Sequence, residues 1–362
     1  MRVLVVAGPS GGHIFPALGF LGSLKDKYKS IETLLVLPKK RSIASRIQSY
    51  NCKVDYISIS AIKLSLGFEN LFAVLNFFKG SLESIFILLV FKPDIVIGFG
   101  SLTCIPMIIF SWLLRIKTLI HEQNLIPGRA NRFLRRFTDR IAVSFMQTKD
   151  YFKDCQEKIT FTGSPIRKEL IPCERNKALR FFGFDDDKFT ILVMGGSLGS
   201  RSINAGFLKT ISALSDKRKL QIIHLAGFGD YDLLKDGYKN LNTSIRLFEF
   251  LEAMQYAYSA SDLVVSRAGA TTITEIIFFK LPAIIIPYPY AYQHQASNAE
   301  ILERIGSAII IQDHQLNTDI LRKTIDSLIN NSDRIKMMRS SYDKVSRPDA
   351  NDLLVEIALS LN

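Results

Sequence analysis

Two stretches half a chain apart share one pattern, a β-branched apolar run that enters a glycine loop. MRVLVVAGPSGGH opens the chain, and FTILVMGGSLGS runs from Phe189 to Ser200. A bounded apolar run of this length reads as a strand buried on both faces. More such runs follow each of them: TLLVL, DIVIGFG and TLIHEQ in the first half, LQIIHLAG, IRLFEF, DLVVSRAG and PAIIIPYP in the second. Short strands alternating with longer helical stretches predict parallel sheets with crossover helices. Two such series predict an α/β chain of two Rossmann-like domains in tandem, and 362 residues exceed what one core usually organises.

The segment GSPIRKELIPCERNKALRFFGFDDDK, from Gly163 to Lys188, is rich in charge and turn residues and is the expected linker. This gives a first domain over residues 1–163 and a second over 164–345. Residues 346–362, with helical spacing of apolar positions, are expected to pack on the first. The opening glycine loop stands where a leader would carry its cleavage site, so a first strand is expected there. Between Asp94 and Arg115 no residue is charged, but Gly98, Gly100, Ser101, Thr103 and Pro106 break the run into strand, loop and short helix.

The formal charge of +12 favours anionic partners: nucleic acid, an anionic membrane surface or phosphorylated substrates. No RRM, KH or zinc-finger pattern is present and the basic residues are scattered, so no nucleic acid is expected. Cys52, Cys104, Cys155 and Cys173 stand far apart, which speaks against a disulfide frame or a zinc site. Asp185-Asp186-Asp187 contains D-x-D, but its place after FFGF reads as a solvated turn, and no metal is expected.

Four motifs carry candidate chemistry. In Gly8-Pro9-Ser10-Gly11-Gly12-His13, glycines at a strand-to-helix turn let backbone N–H groups approach an anion. The spacing is neither a dinucleotide G-x-G-x-x-G nor a P-loop, which argues against a dehydrogenase. His13 is a candidate general base, or a donor to phosphate. His121-Glu122-Gln123-Asn124 follows the apolar TLI and marks the carboxyl end of a strand; a plain polar turn is the competing reading. Thr162-Gly163-Ser164-Pro165-Ile166-Arg167 offers a guanidinium for a phosphate, where a surface arginine is the commoner outcome. Ser266-Arg267-Ala268-Gly269-Ala270-Thr271-Thr272-Ile273-Thr274-Glu275 starts a helix with small residues and threonines suited to a diphosphate. Glu275 is a candidate acceptor for ribose hydroxyls, or part of a helix cap.

Read in order, GPSGGHIFPAL, HEQN-x-x-PG-x-x-N, TG-x-P-x-R, GGS-x-G, SRAGA-x-T-x-x-E and HQ-x-x-NA resemble the MurG family over nearly the whole chain. These are UDP-N-acetylglucosamine transferases acting on undecaprenyl-diphospho-muramoyl-pentapeptide in peptidoglycan synthesis. The resemblance implies a GT-B fold, two Rossmann-like domains facing a cleft, with acceptor on the first and UDP-sugar on the second. It implies inverting β-1,4 transfer from UDP-N-acetylglucosamine to the lipid I acceptor, without a cofactor. By position, Ser10, Gly11 and Gly12 would line the diphosphates, Asn124 the sugar, and Arg167 and Ser197 the diphosphate. Leu251 would meet uracil through its backbone, Ala270, Thr271, Thr272, Ile273, Thr274 and Glu275 the phosphate and ribose, and Gln295 the sugar hydroxyls.

The chain departs from the family pattern at Pro9, Ser10, Leu198 and Tyr292, and Pro9 removes one N–H from the first loop. A diacylglycerol glycosyltransferase and a UDP-N-acetylglucosamine 2-epimerase are the nearest alternatives, and the HEQN element favours the muramoyl-lipid acceptor. The resemblance also implies a peripheral place at the cytoplasmic membrane face and partners among cell-wall synthesis proteins. Leu71, Phe72, Leu75 and Phe78 recur at helical spacing, a stripe that ordinarily faces a core. Phe77 falls outside it beside Lys79, so Phe72, Phe77, Phe78, Lys79 and Trp112 are the expected docking patch for an anionic membrane surface.

Overall fold

The computed structural model describes residues 1–39, 52–60, 68–196, 199–214, 217–290, 294–345 and 349–361. The chain divides into two compact units, Met1–Lys168 with Arg347–Asn362, and Glu169–Ser346.

In the first unit the described strands are β1 (Arg2–Val6), β2 (Glu32–Pro38), β3 (Lys53–Ile57), β4 (Ile95–Gly98), β5 (Lys117–Glu122), β6 (Arg140–Val143) and β7 (Ile159–Phe161). They form one parallel sheet in the order β3-β2-β1-β4-β5-β6-β7. Val3 and Val5 of β1 pack with Ile14, Ala17 and Leu21 of the first helix and with Leu354 and Val355 of the C-terminal helix. Leu4 and Val6 point the other way, onto Ile87, Leu88, Met107 and Ile108. Helices cover both faces, so β1 carries apolar side chains throughout instead of alternating.

The uncharged run after Asp94 becomes β4, a turn with Gly100 and Ser101 at φ +81° and +79°, and the 10-residue helix Cys104–Leu113. At about 1.5 Å per residue that helix spans roughly half a bilayer core. The helix Phe68–Phe91 is different. Its Leu71–Phe91 stretch is, among the described residues, the one helical segment long and apolar enough to cross a membrane by length and composition.

It packs on the unit through the small residues Ala73, Gly80 and Ser84 and, nearer its end, the apolar Ile87 and Leu88. A Cβ on Gly80 would stand 2.5 Å from the Ser58 carbonyl oxygen, so glycine is what permits this close approach. Glu83 accepts hydrogen bonds from the Ser58 backbone N–H and hydroxyl and pairs with Lys39 at 2.7 Å, tying the middle of the helix to the β2 and β3 ends. Leu71, Phe72, Leu75 and Phe78 are exposed, so the stripe faces outward, away from the core.

The second unit repeats the design with β8 (Phe189–Met194), β9 (Leu220–Leu225), β10 (Ser244–Phe248), β11 (Leu263–Ser266), β12 (Ala283–Ile285) and β13 (Ala308–Ile310). Their parallel order is β10-β9-β8-β11-β12-β13. Ile191 and Val193 of β8 lie in a core with Ile203, Phe207, Leu263, Val265 and Leu321.

Asn351, at the start of the C-terminal helix Ala350–Leu359, clamps the first unit. Its Oδ1 accepts from the Ile166 N–H at 2.8 Å, and its Nδ2 donates to the Ile166 carbonyl and to Ser23 Oγ, both at 2.9 Å. Asn351→Ala is expected to destabilise the first unit by about 2 kcal/mol, because it strands backbone groups of Ile166. Urea unfolding followed in that unit measures it, and an unchanged midpoint would show that water replaces the clamp.

Candidate active site

In each sheet the earliest strand lies between its second and fourth neighbours, so successive crossovers leave toward opposite faces. A crevice opens at the carboxyl ends of the strands where that reversal occurs, and open α/β sheets bind ligands there. In the first unit the reversal lies between β1 and β4, and the segments leaving them are Ala7–Ser10 and Phe99–Thr103. In the second it lies between β8 and β11, followed by Gly195–Ser200 and Arg267–Gly269. The sequence motifs therefore sit on the two carboxyl edges, while Asp185–Asp187 precede β8 at the opposite edge, where Asp185 pairs with Lys188 at 2.6 Å. Among the described residues no His/Cys/Asp/Glu cluster is arranged to hold a metal ion.

The first edge is built around two histidines. Ser10 is the N-cap of helix Gly11–Lys27 with extended backbone, and its carbonyl accepts from the His13 and Ile14 N–H groups at 3.0 Å. The Ser10 hydroxyl lies 2.9 Å from His13 Nδ1. If Nδ1 carries the proton and donates to that oxygen, the Nε2 lone pair is left as the basic position. Burial pushes the His13 imidazole down to about 4, although part of the residue remains accessible.

His121 is fully buried, lies tilted against the Phe99 ring at 5.4 Å, and is likewise pushed down to about 4 by burial. Its Nε2 faces the Gly163 carbonyl at 3.0 Å and therefore donates, which makes Nδ1 the acceptor of the Gln123 amide at 3.2 Å. Glu122 is buried and takes four donors. Its Oε1 accepts from the N–H and Nδ2 of Asn124 at 2.9 and 3.1 Å, and its Oε2 from the Gly128 N–H and Asn131 Nδ2 at 3.0 and 2.8 Å. The HEQN element is thus a scaffold that sets Asn124 and the following turn. Arg167 belongs to this unit, and its guanidinium lies 4.1 Å over the Phe15 ring, two residues along from His13.

The second edge holds the remaining candidates, except Ser197 and the neighbouring Leu198, which lie outside the described residues. Gly199 adopts φ +78°, and a Cβ there would stand 2.3 Å from the Ala226 carbonyl oxygen, so only glycine closes this turn against β9. Helix Ala270–Phe279 starts after Gly269 with no side-chain cap. Its first-turn N–H groups and positive dipole end suit a phosphate. The six side chains there are not equivalent. Ile273 is core and offers only backbone, and Thr274 donates its hydroxyl to the Ala270 carbonyl at 3.0 Å. Thr271 and Thr272 are half-buried, and Glu275 is 7 % exposed with Oε2 bonded to the Tyr258 hydroxyl at 2.6 Å. Gln295 Oε1 accepts from the Ala268 and Tyr288 N–H groups at 3.1 and 3.0 Å, which orients its amide nitrogen. Leu251 is buried beyond the end of β10.

Sequence reasoning assigned no role to Arg267, although it quoted the motif. The guanidinium donates to Ser200 Oγ, Ser202 Oγ, the Ile286 and Pro287 carbonyls and Asp313 Oδ1, with distances from 2.5 to 3.2 Å. It binds together the start of helix Arg201–Ala213, the end of β12 and the Asp313–Gln315 turn. A charged residue directly after the fully buried strand LVVS was the available signal.

Paired Rossmann-like units with glycine turns at both reversal points define a GT-B fold. Residues 3–143 match the glycosyltransferase family 28 N-terminal domain and residues 190–354 its C-terminal domain, and the chain belongs to that family. The UDP-N-acetylglucosamine--N-acetylmuramyl-(pentapeptide) pyrophosphoryl-undecaprenol N-acetylglucosamine transferase of Listeria welshimeri is 37 % identical over 364 residues, covering 100 % of this chain and 99 % of that one. The protein of the same name from Desulforamulus reducens is 36 % identical over 97 % of this chain and 96 % of its own. The crystal structure of Acinetobacter baumannii MurG matches with a TM-score of 0.76 at 25 % identity, over 99 % of each chain.

The buried histidines set an acid limit. An unfolded histidine titrates near 6.5, whereas His121 and His224 stay neutral down to about 4 and about 3 because burial opposes the charge. The unfolded chain therefore binds protons first as pH falls below 6.5, and folded stability drops through that window. Between pH 6.5 and about 4.5, above the ordinary carboxylate range, the loss is expected to come from histidine. Urea midpoints measured across this range should decline, and His224→Gln should flatten the decline for the second unit. A flat profile in the parent protein would contradict the neutral assignment.

Proposed function

We infer that this chain transfers N-acetylglucosamine from UDP-N-acetylglucosamine to the muramoyl C4 hydroxyl of undecaprenyl-diphospho-muramoyl-pentapeptide, converting lipid I to lipid II. The observation that carries the reading is full-length identity of 36–37 % to transferases named for that reaction. The first unit takes the acceptor and the second the UDP-sugar, a division supported by the diphosphate-type helix start at Ala270 and the acceptor-type HEQN scaffold at Glu122.

Transfer is a single displacement with inversion. The C4 oxygen bonds to the anomeric carbon as the bond from that carbon to the UDP oxygen breaks, and the hydroxyl proton passes to His13 Nε2. A neutral imidazole at physiological pH is the form this step needs, and a diphosphate bound beside it would raise its basicity toward the ordinary value. Ser10 holds the ring through Nδ1. Ser10, Gly11 and Gly12 serve the donor and acceptor diphosphates. Arg167, Ser197 and Ala270 to Thr274 serve the leaving diphosphate, Glu275 the ribose, Leu251 the uracil, and Asn124 and Gln295 the sugar.

The enzyme meets its lipid substrate as a peripheral protein at the cytoplasmic membrane face. The support is the outward face of helix Phe68–Phe91, where Phe72 and Phe78 are each 65 % exposed, and Trp112, which is 48 % exposed. Lys79 is exposed and Phe77 half-buried beside them. The buried small-residue face and the Glu83 anchor favour docking over spanning.

Incubation with labelled UDP-N-acetylglucosamine and a short-chain lipid I analogue should give a β-linked disaccharide product, and an α product would overturn the inverting step. In the same assay His13→Ala is expected to lower turnover about 10²–10⁴-fold; retention of more than about a tenth of wild-type turnover removes it as the base. Vesicles containing anionic lipid should co-sediment the protein, and Phe78→Ser with Lys79→Glu should release it. Binding that ignores both lipid charge and these substitutions would place the membrane contact elsewhere.

A further inference from the structure

Tyr258 lies in the helix Met254–Ala260, in the stretch AYSASD that carries no binding motif. Its ring is 1 % exposed and stacks on Phe279 at 4.8 Å with 26° between planes. The hydroxyl donates to Glu275 Oε2 at 2.6 Å and stands 3.8 Å from the sulfur of Met194, the last residue of β8. That single oxygen lies where two segments converge: the end of β8 that enters the Gly195–Gly196 turn, and the helix that carries Glu275. The helix bearing Tyr258 itself follows the Leu251 segment.

We propose that Tyr258 is a positioning residue for nucleotide recognition, holding the Glu275 carboxylate in the orientation that accepts the ribose hydroxyls. This rests on the reading of Glu275 as the ribose acceptor. The last torsion of a glutamate is broad, and a carboxylate meeting a diol must be fixed about it to engage both hydroxyls. A short O–H···O⁻ bond is of the strong, charge-assisted kind. Because the donor is neutral, it orients the carboxylate without cancelling the charge that makes it a good acceptor. The stack on Phe279 fixes the tyrosine in turn, so the hydroxyl has one place to point.

Tyr258→Phe removes the donor and keeps the stacked ring. The test titrates UDP and 2′,3′-dideoxyuridine 5′-diphosphate into the wild-type protein, Tyr258→Phe, Glu275→Ala and the double variant. Tyr258→Phe is expected to weaken UDP about tenfold, the scale of one hydrogen bond to a charged group, and to leave the dideoxy ligand unchanged. KM for UDP-N-acetylglucosamine should rise by a similar factor with kcat near wild type, and the substitution should add nothing in the Glu275→Ala background. Phe279→Leu, which loosens the stack but keeps the hydroxyl, should lower the melting temperature with a smaller change in the ratio of the two affinities. Should Tyr258→Phe also melt lower, its own affinity ratio still reads the ribose contribution.

Equal weakening of both ligands means that Tyr258 only supports the fold, and overturns the proposal. No weakening of UDP, while Glu275→Ala still loses its preference for UDP, overturns it and leaves the ribose reading standing. If Glu275→Ala keeps the wild-type preference for UDP over the dideoxy ligand, the ribose reading fails and the proposal falls with it.

Discussion

Parallel strand pairing with crossovers of one hand is the constraint on which the rest depends. Once β1 and β8 each start a sheet from its middle, the chain must wind first to one side and then to the other. The reversal leaves a gap between neighbouring crossovers that no helix covers, at the edge where strands end. Glycine turns, helix starts and polar side chains gather at that gap, where backbone N–H groups end facing an open crevice.

The two edges solve the problem of rigidity with opposite charges. At the first, the buried carboxylate of Glu122 gathers four N–H donors from the turn that follows β5. At the second, the buried guanidinium of Arg267 gathers five oxygen acceptors from three segments. An isolated charge at either place would be strongly unfavourable, and one partly satisfied would be worse than an apolar side chain. Fully satisfied, each fixes several loops at once, which a hydrophobic contact with its loose angular preference does not do. Of the groups proposed to touch substrate, Asn124 is oriented by the Glu122 network, whereas Gln295 is held by the Ala268 and Tyr288 N–H groups.

Strands were legible in the sequence because they are apolar on both faces and bounded by glycine, and the first-half and second-half runs appear as β1, β2, β4, β5 and β8 to β12. The short strands β3, β6, β7 and β13 carry charges or only three or four residues, so periodicity had little to register. The glycine and HEQN elements were legible as strand-end turns. What those residues do to one another was not: that Glu122 faces inward, that Thr274 bonds its own helix and that Ile273 is core depend on helix phase and on neighbours far along the chain. Tyr258 was invisible for the same reason, since its partner Glu275 lies on the next helix but one strand away. The Phe68–Phe91 helix was read by its largest residues, whereas its packed face is defined by its smallest, Ala73, Gly80 and Ser84.

That inversion has an energetic consequence. Phe72, Phe78, Leu82 and Phe86 are 65–69 % exposed on one helix. Burying a side chain of this size from full exposure stabilises by about 1.5–3 kcal/mol, so the exposed fractions together represent several kcal/mol of unused apolar transfer. A lysine near an anionic leaflet contributes about 1 kcal/mol, and physiological salt screens it. Transfer of the aromatic face into the acyl boundary therefore outweighs the contribution of Lys79 alone, and charge acts mainly to choose which surface is approached. In the proposed docking, the net charge of +12 would serve that selection from a distance, while the helix face would supply the affinity on contact. A water-facing helix built in this way is held on the sheet side by its small residues, by Glu83 and by the buried Ile87 and Leu88. If the proposed docking holds, the same anchoring would keep the domain outside the bilayer, with the first glycine turn carried on the unit that docks.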